Sequence, residues 1–238
     1  MKFLLTLMTL IAATTRQVTL GFAPLPNAPL SSLALLSSSK DDTNNGNVDF
    51  ALQELRIALT SMERQNLAPQ QLREDYRKAL EKYAETIVSG SSSKKLPNLQ
   101  QALPGTKWKL VWSNEPAILE GLPATARVVL EFLDDNTTQM NYNLEFSTWG
   151  LSNLCAASRY SINDNTIVTI TYEDVTANVL GMTNVNPGGM FSNLLGGRTT
   201  TIPTAFFNGE LWIEQNTNGA MSIYVRQSDP NDNDSWAR

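Results

Sequence analysis

The sequence predicts a mainly β protein, an antiparallel up-and-down β-barrel of about eight strands preceded by two N-terminal α-helices. Apolar residues recur at a helical period over residues 49–93 and at a period of two from Trp108 onward. The turn signals Asp134-Asp135-Asn136, Asn163-Asp164-Asn165, Asn208-Gly209 and Asn218-Gly219 separate the alternating runs. A single flat sheet of so many one-sided strands would leave an unprotected edge and an exposed apolar face, and closure into a barrel removes both.

At the front, Lys2 precedes an apolar run over residues 4–13 that is too short to span a bilayer, with small residues behind it. Residues 1–22 therefore read as a signal peptide, outside the fold. Phe22 falls at the expected cleavage site, and residues 23–39 are Ser-rich and free of acid. A leader in two such parts resembles those of proteins sent into plastids bounded by extra membranes. Residues 23–48 are then a transit-peptide-like segment and disordered linker, the join at residues 40–47 being polar and rich in Asn. Taken alone, the apolar start implies only export, so secretion stays open beside plastid import.

Residues 49–93 form the helical segment. In the first helix Phe50, Leu52, Leu55, Leu59 and Met62 make the expected stripe, with Asp49 as N-cap. Residues 66–69 break it, and a second helix starts at about Pro69, where proline suits the first turn. Its stripe is Leu72, Tyr76, Leu80, Tyr83 and Ile87, opposite a face of balanced charge. Such a helix covers a core or, on the sharper reading, docks on a membrane or partner. Residues 89–93 read as a linker.

The barrel is expected over residues 103–228. Trp108, Leu110 and Trp112 alternate with Lys107 and Lys109; Val128, Leu130 and Phe132 with Arg127 and Glu131; Met140, Tyr142, Leu144 and Phe146 with Asn141, Asn143 and Glu145. Further strands are expected at residues 154–162, 166–175, 198–202, 210–215 and 221–226. Between them, residues 181–197 carry glycines and Pro187, which argue against a strand, yet include Met190, Phe191, Leu194 and Leu195. Two readings stay open: an Ω-type loop folded over the barrel end, or a mobile lid or membrane-touching lip.

Composition narrows the chemistry. The chain has no His and only one Cys, Cys155, which excludes intrachain disulfides, Cys/His zinc sites and His-dependent triads. Cys155 reads as a small buried residue, and no metal or cofactor is expected. Lys2 and Arg16 are the only charges in residues 1–22, so removing them takes the formal charge from −5 to −7. An acidic body argues against a nucleic-acid groove. The sequons at Asn136 and Asn233 are of a kind that arises by chance. No inward-facing carboxylate pair is visible. Asp174, on the face of Val168, Ile170 and Tyr172, is the carboxylate to watch.

The order of a helical segment, then Leu103-Pro104-Gly105-Thr106-Lys107-Trp108-Lys109-Leu110-Val111-Trp112-Ser113, then a run of strands is distinctive. It closes on Phe206-Phe207-Asn208-Gly209-Glu210-Leu211-Trp212-Ile213-Glu214 and Ser222-Ile223-Tyr224-Val225-Arg226. This resembles the plastid lipid-associated proteins, also called fibrillins or plastoglobulins, over one domain at residues 49–228. The family's opening strand is Gly-Lys-Trp-x-Leu-x-Tyr-Ser-like, whereas here Thr106-Lys107 separates Gly105 from Trp108. Asn208 stands where the family has an acidic residue, and Trp212 and Gln215 replace basic residues of its penultimate strand. The resemblance implies a lipocalin-like barrel that binds lipids, prenylquinones or carotenoids at plastoglobules or thylakoids. The expected lining is Trp112, Leu130, Phe132, Tyr142, Leu144, Phe146, Tyr160 and Tyr172, with Met190, Phe191, Leu194 and Leu195 as lid or membrane contact. A structural coat or scaffold on plastid lipid bodies is the alternative, and a cofactor-independent isomerase or cyclase a third.

Overall fold

The computed structural model describes residues 43–65, 71–91, 96–116, 118, 122, 126–134, 138–146, 151–179, 182–185 and 197–227. The leader with Phe22, the helix break at residues 66–69, the lid residues Met190, Phe191, Leu194 and Leu195, and both sequon asparagines lie outside this set.

The helices are α1 (Thr43–Gln65), α2 (Glu74–Ser91) and the short α3 (Leu99–Ala102). The strands are β1 (Lys107–Ser113), β2 (Ala126–Phe132), β3 (Gln139–Phe146), β4 (Leu151–Asn163), β5 (Ile167–Val179), β6 (Met182–Val185), β7 (Thr199–Phe207), β8 (Leu211–Gln215) and β9 (Met221–Gln227). Eight antiparallel strands close into a ring in the order β1-β2-β3-β4-β5-β7-β8-β9, with β9 returning to β1. Apart from β5–β7 and the closing β9–β1 pair, each neighbour in the ring is also the next in the chain, which is the up-and-down meander expected.

The tight turns follow the backbone chemistry of the turn residues. Asp164 and Asn165, central in the turn closed by the Thr166 N–H to the Asn163 carbonyl at 3.1 Å, both have positive φ, 51° and 56°, as a hairpin turn with the twist of its strands requires. Gly105, at φ 71°, lets the chain enter β1, and a Cβ there would stand 3.3 Å from the Cβ of Asp134.

Several boundaries differ from expectation. Residues 43–47, expected to be a disordered join, are already helical in α1. Helix α2 begins at Glu74 rather than near Pro69 and runs through Ser91 into the expected linker. There the Ser89 hydroxyl donates to the Glu85 carbonyl at 2.7 Å, so a residue that often leaves a helix is satisfied within it. Residues 182–185, expected to be irregular, pair with the far half of β5 as β6.

Two apolar cores share the barrel wall. The inner one fills the barrel. The outer one lies between the barrel's outer surface and the helices, joining Ala51, Leu55 and Leu59 of α1, Leu72, and Leu80, Ala84 and Ile87 of α2 to Trp112, Leu211, Ile213, Met221, Ile223 and Val225. Helix α2 lies over β7 and β9, so its apolar stripe covers a core, the first of the two readings. On α1 the buried stripe is Val48, Ala51, Leu55 and Leu59, and the expected Phe50 instead faces out, 45% exposed, as does Ile57 at 58%. Arg56 of α1 forms an ion pair with Glu210 beside the β7–β8 turn, and Asn114 at the end of β1 donates to Glu81 of α2 at 2.7 Å.

Candidate functional site

The barrel interior divides into two unlike halves. Near the start of β1, five aromatic rings interlock. Trp108 lies 5.1 Å from Phe207 and 5.7 Å from Trp212 between ring centroids, and Phe132 meets Tyr160 edge-on at 4.9 Å. Both indole nitrogens are satisfied locally: Trp108 Nε1 donates to Thr106 Oγ1 at 2.7 Å and Trp212 Nε1 to Thr204 Oγ1 at 3.0 Å. Helix α3 closes this end with Leu99 and Leu103, both fully buried. Asn165, in the β4–β5 turn, accepts from the Leu99 N–H and donates to the Pro97 carbonyl, each at 2.7 Å, and so fastens α3 across the barrel mouth. The half with α3 is plugged.

The opposite half is lined differently. Small residues Val128, Ala156, Val175 and Ala177 make much of its wall, with Leu144 and Leu154. Tyr142 and Phe146 face inward here and are partly buried. Into this apolar half project three phenols, Tyr142, Tyr172 and Tyr224, and one carboxyl group, Glu214. Strand β8 alternates Leu211 and Ile213 outward with Trp212 and Glu214 inward, and Glu214 is 6% exposed. Its Oε2 accepts a hydrogen bond from the Tyr224 hydroxyl at 3.1 Å. Tyr142 and Tyr172 pack edge-on at 5.8 Å, and among the described residues neither hydroxyl is hydrogen-bonded.

Burial sets the charge state of this cluster. Desolvation pushes the Glu214 carboxyl up to about 7 from 4.5, and the nearby Glu115 raises it further, against the hydrogen bonds from Tyr224 and Ser222. Tyr224 and Tyr142 are held well above the usual phenol range, first by burial and then by Glu214 and neighbouring phenols. Burial alone raises Tyr172. Near neutrality the cluster is a set of hydroxyl donors with a carboxyl poised between its two forms.

Seven of the eight expected lining residues, Leu130, Phe132, Tyr142, Leu144, Phe146, Tyr160 and Tyr172, do face inward. Phe132 and Tyr160 belong to the plugged half; the others are shared with or border the opposite half. Trp112 does not face inward. A β-bulge between Leu110 and Trp112 shifts the register with β9, pairing Leu110 with inward Tyr224 but Trp112 with outward Ile223. Trp112 thus sits in the core beneath the helices.

The same device corrects Asp174. A bulge opposite Ala157 and Ser158 makes Glu173 an extra residue, so Tyr172 and Val175 face inward and Asp174 is exposed, accepting from the Val175 N–H at 2.8 Å. The inward carboxylate is Glu214, whose signal in the sequence was its place two residues beyond Trp212 on a short alternating strand. Cys155 faces outward and is half-buried rather than buried. Burial, and then Glu131, raise its thiol pKa, which disfavours the nucleophilic thiolate.

In comparisons with known proteins, the chain matches no family model, no curated protein and no solved structure at a significant level.

Proposed function

We propose that the protein binds an apolar small molecule, without catalysis, in the barrel half opposite α3. The observation that carries this is the pairing of a wall of small residues with inward, incompletely buried Tyr142 and Phe146 beside a cluster of phenols and one carboxyl group. A binding site of this kind has apolar walls for a hydrocarbon tail and a few convergent polar groups for a head. With the leader and the resemblance to plastid lipid-associated proteins, the ligand class is plastid lipids, prenylquinones or carotenoids. The place of action is the plastoglobule or thylakoid, reached through the two-part leader. The test incubates the full chain with prenylquinones, carotenoids and galactolipids. Co-purified ligand in mass spectrometry and a raised melting temperature are expected, and apo protein with no shift from any of them sinks the reading.

A coat or scaffold on plastid lipid bodies is the second reading. Its support is the exposed pair Phe50 and Ile57, seven residues apart and so on one outward face of α1. Flotation with lipid globules that is lost in Phe50→Glu/Ile57→Glu, with the barrel intact, favours it over a carrier. A lipid isomerase or cyclase stands third, with Glu214 as its one inward acid–base group among the described residues.

A further inference from the structure

We propose that the barrel selects its ligand by head group, taking apolar molecules that end in a neutral oxygen acceptor, such as a ketone or quinone carbonyl, and rejecting those that end in a carboxylate. The proposal rests on the carrier reading and concerns the polar contacts of the same site.

Among the described residues the inward polar groups of the half opposite α3 include the hydroxyls of Tyr142, Tyr172 and Tyr224 and the carboxyl of Glu214; the buried Ser158 hydroxyl is taken up by the Ala156 carbonyl at 2.9 Å, and Ser222 pairs with Ser113 beside Glu214. Among the described residues no cation acts on Glu214, Tyr142, Tyr172 or Tyr224: Lys107 and Arg159 lie in ion pairs on the outer surface, and Arg198, opposite Tyr172 just before β7, is exposed. A carboxylate head would enter an apolar space without a cation to pair with and opposite a second carboxyl group, the costliest arrangement for a buried charge. A carbonyl oxygen, by contrast, needs donors only. Two are on hand in the Tyr142 and Tyr172 hydroxyls, which among the described residues bond to nothing. The pair stands in edge-to-face contact, and Tyr172 helps to hold the Tyr142 phenol above its usual range, so the two phenols lie within electrostatic reach of each other.

Glu214 makes the preference depend on pH. The groups that act on it are Tyr224 and Ser222 from β9, Glu115 following β1, and Tyr142 from β3, none of them cationic. Its protonated form can donate to a carbonyl oxygen, and its ionised form only accepts. Raising the pH through neutrality therefore removes one donor from the head-group site and adds a negative charge to it. Binding of a carbonyl-ended ligand weakens as the pH rises, while binding of a plain hydrocarbon of equal length does not.

Three probes of matched chain length test this on the full chain by tryptophan fluorescence: a prenylated benzoquinone, a fatty acid and an alkane-like prenyl hydrocarbon, each at pH 6 and pH 8.5. The quinone is expected to bind at least tenfold more tightly than the fatty acid at both pH values, and to weaken several-fold at pH 8.5. Glu214→Gln should abolish that pH dependence and narrow the margin over the fatty acid. Tyr142→Phe/Tyr172→Phe should lower quinone affinity toward that of the hydrocarbon. A fatty acid that binds as well as the quinone overturns the selectivity, and a pH dependence that survives in Glu214→Gln overturns the role of that residue. Binding of all three alike leaves the carrier reading standing and removes this one; binding of none removes both. Circular dichroism of each variant at both pH values separates lost binding from lost folding.

Discussion

Glu214 ionises near pH 4.5 when free but near pH 7 inside the barrel, so the folded chain holds a proton there that the unfolded chain has already released. A raised carboxyl pKa means that stability from this group is greatest below pH 4.5 and falls as the pH rises from 4.5 through 7, by about 3 kcal/mol at most. Glu214→Gln keeps an acceptor for the Tyr224 hydroxyl and cannot ionise. In urea denaturation it is expected to match the wild type at pH 4.5 and to exceed it by about 1–3 kcal/mol at pH 8. A variant that is less stable at pH 8 shows that the ionised carboxylate is the better-satisfied form. Trp112 gives a second test at this scale. Because it packs beneath the helices, Trp112→Ala should cost about 3–5 kcal/mol of stability while leaving ligand affinity in the refolded protein unchanged. A loss of affinity larger than the loss of folded protein would place the ring back in the pocket.

At the scale of the element, the bulges in β1 and β5 decide what faces where. Strict alternation assigns Trp112 and Asp174 to the interior, and in each strand the register shift turns that residue outward. Between Thr204 and Phe206 of β7 a third shift sends Phe206 to the outer core and Phe207 inward beside Trp108. A side-chain period of two cannot reveal a bulge, because the extra residue is selected by its partner strand rather than by its own type. Helix α3 is a different case. Asn98 caps it by accepting from the Gln100 N–H, but four helical residues are too few for a periodic signal. Its attachment is testable through Asn165. Asn165→Gly keeps the positive φ of the turn and removes the amide's bonds to Leu99 and Pro97, so it should cost about 1–2 kcal/mol. Asn165→Ala, which also strains the turn, should cost about 1 kcal/mol more. Equal stability of the wild type and the glycine variant in thermal unfolding would show that the turn, not the fastening of α3, is what Asn165 supplies. Gly105→Ala meets both a positive φ and the Asp134 side chain, and a loss of about 1–2 kcal/mol in the same measurement is expected.

For the whole molecule, the barrel wall is one layer between two cores. Strands β8 and β9 contribute Trp212 and Tyr224 to the inside and Leu211, Ile213, Ile223 and Val225 to the helix-covered outside. Neither core can open without disturbing the other. Leu80→Ala on α2, which removes a fully buried side chain, should therefore cost about 2–5 kcal/mol and lower the barrel's own melting temperature. Tryptophan fluorescence and far-ultraviolet circular dichroism should report one coincident transition in that variant as in the wild type. A helical phase that melts ahead of the strands would show that the helices are an independent layer. The same double-sided wall explains why the clean apolar stripe of α2 is not a free docking face: Leu72, Leu80 and Ile87 are already covered. Among the described residues the exposed large apolar side chains on the helices are Phe50 and Ile57, which the stripe expected of α1 did not single out as a pair.

The succession of two helices and an eight-strand meander, the hairpin turns at Asp164-Asn165 and Asn208-Gly209, and the inward aromatics of β2, β3 and β4 follow from local patterns. Period and turn chemistry are properties of short segments, and the sequence by itself determined them. The plugging of one half of the barrel does not follow from any segment. It depends on α3 being tied down by Asn165 from 66 residues away. Bulges set by partner strands turn Trp112 and Asp174 outward. The cluster of Glu214 with Tyr142, Tyr172 and Tyr224 is assembled from β8, β3, β5 and β9. Only the closed ring brings these groups into one apolar space, and only there does burial hold Glu214 at the edge of ionisation.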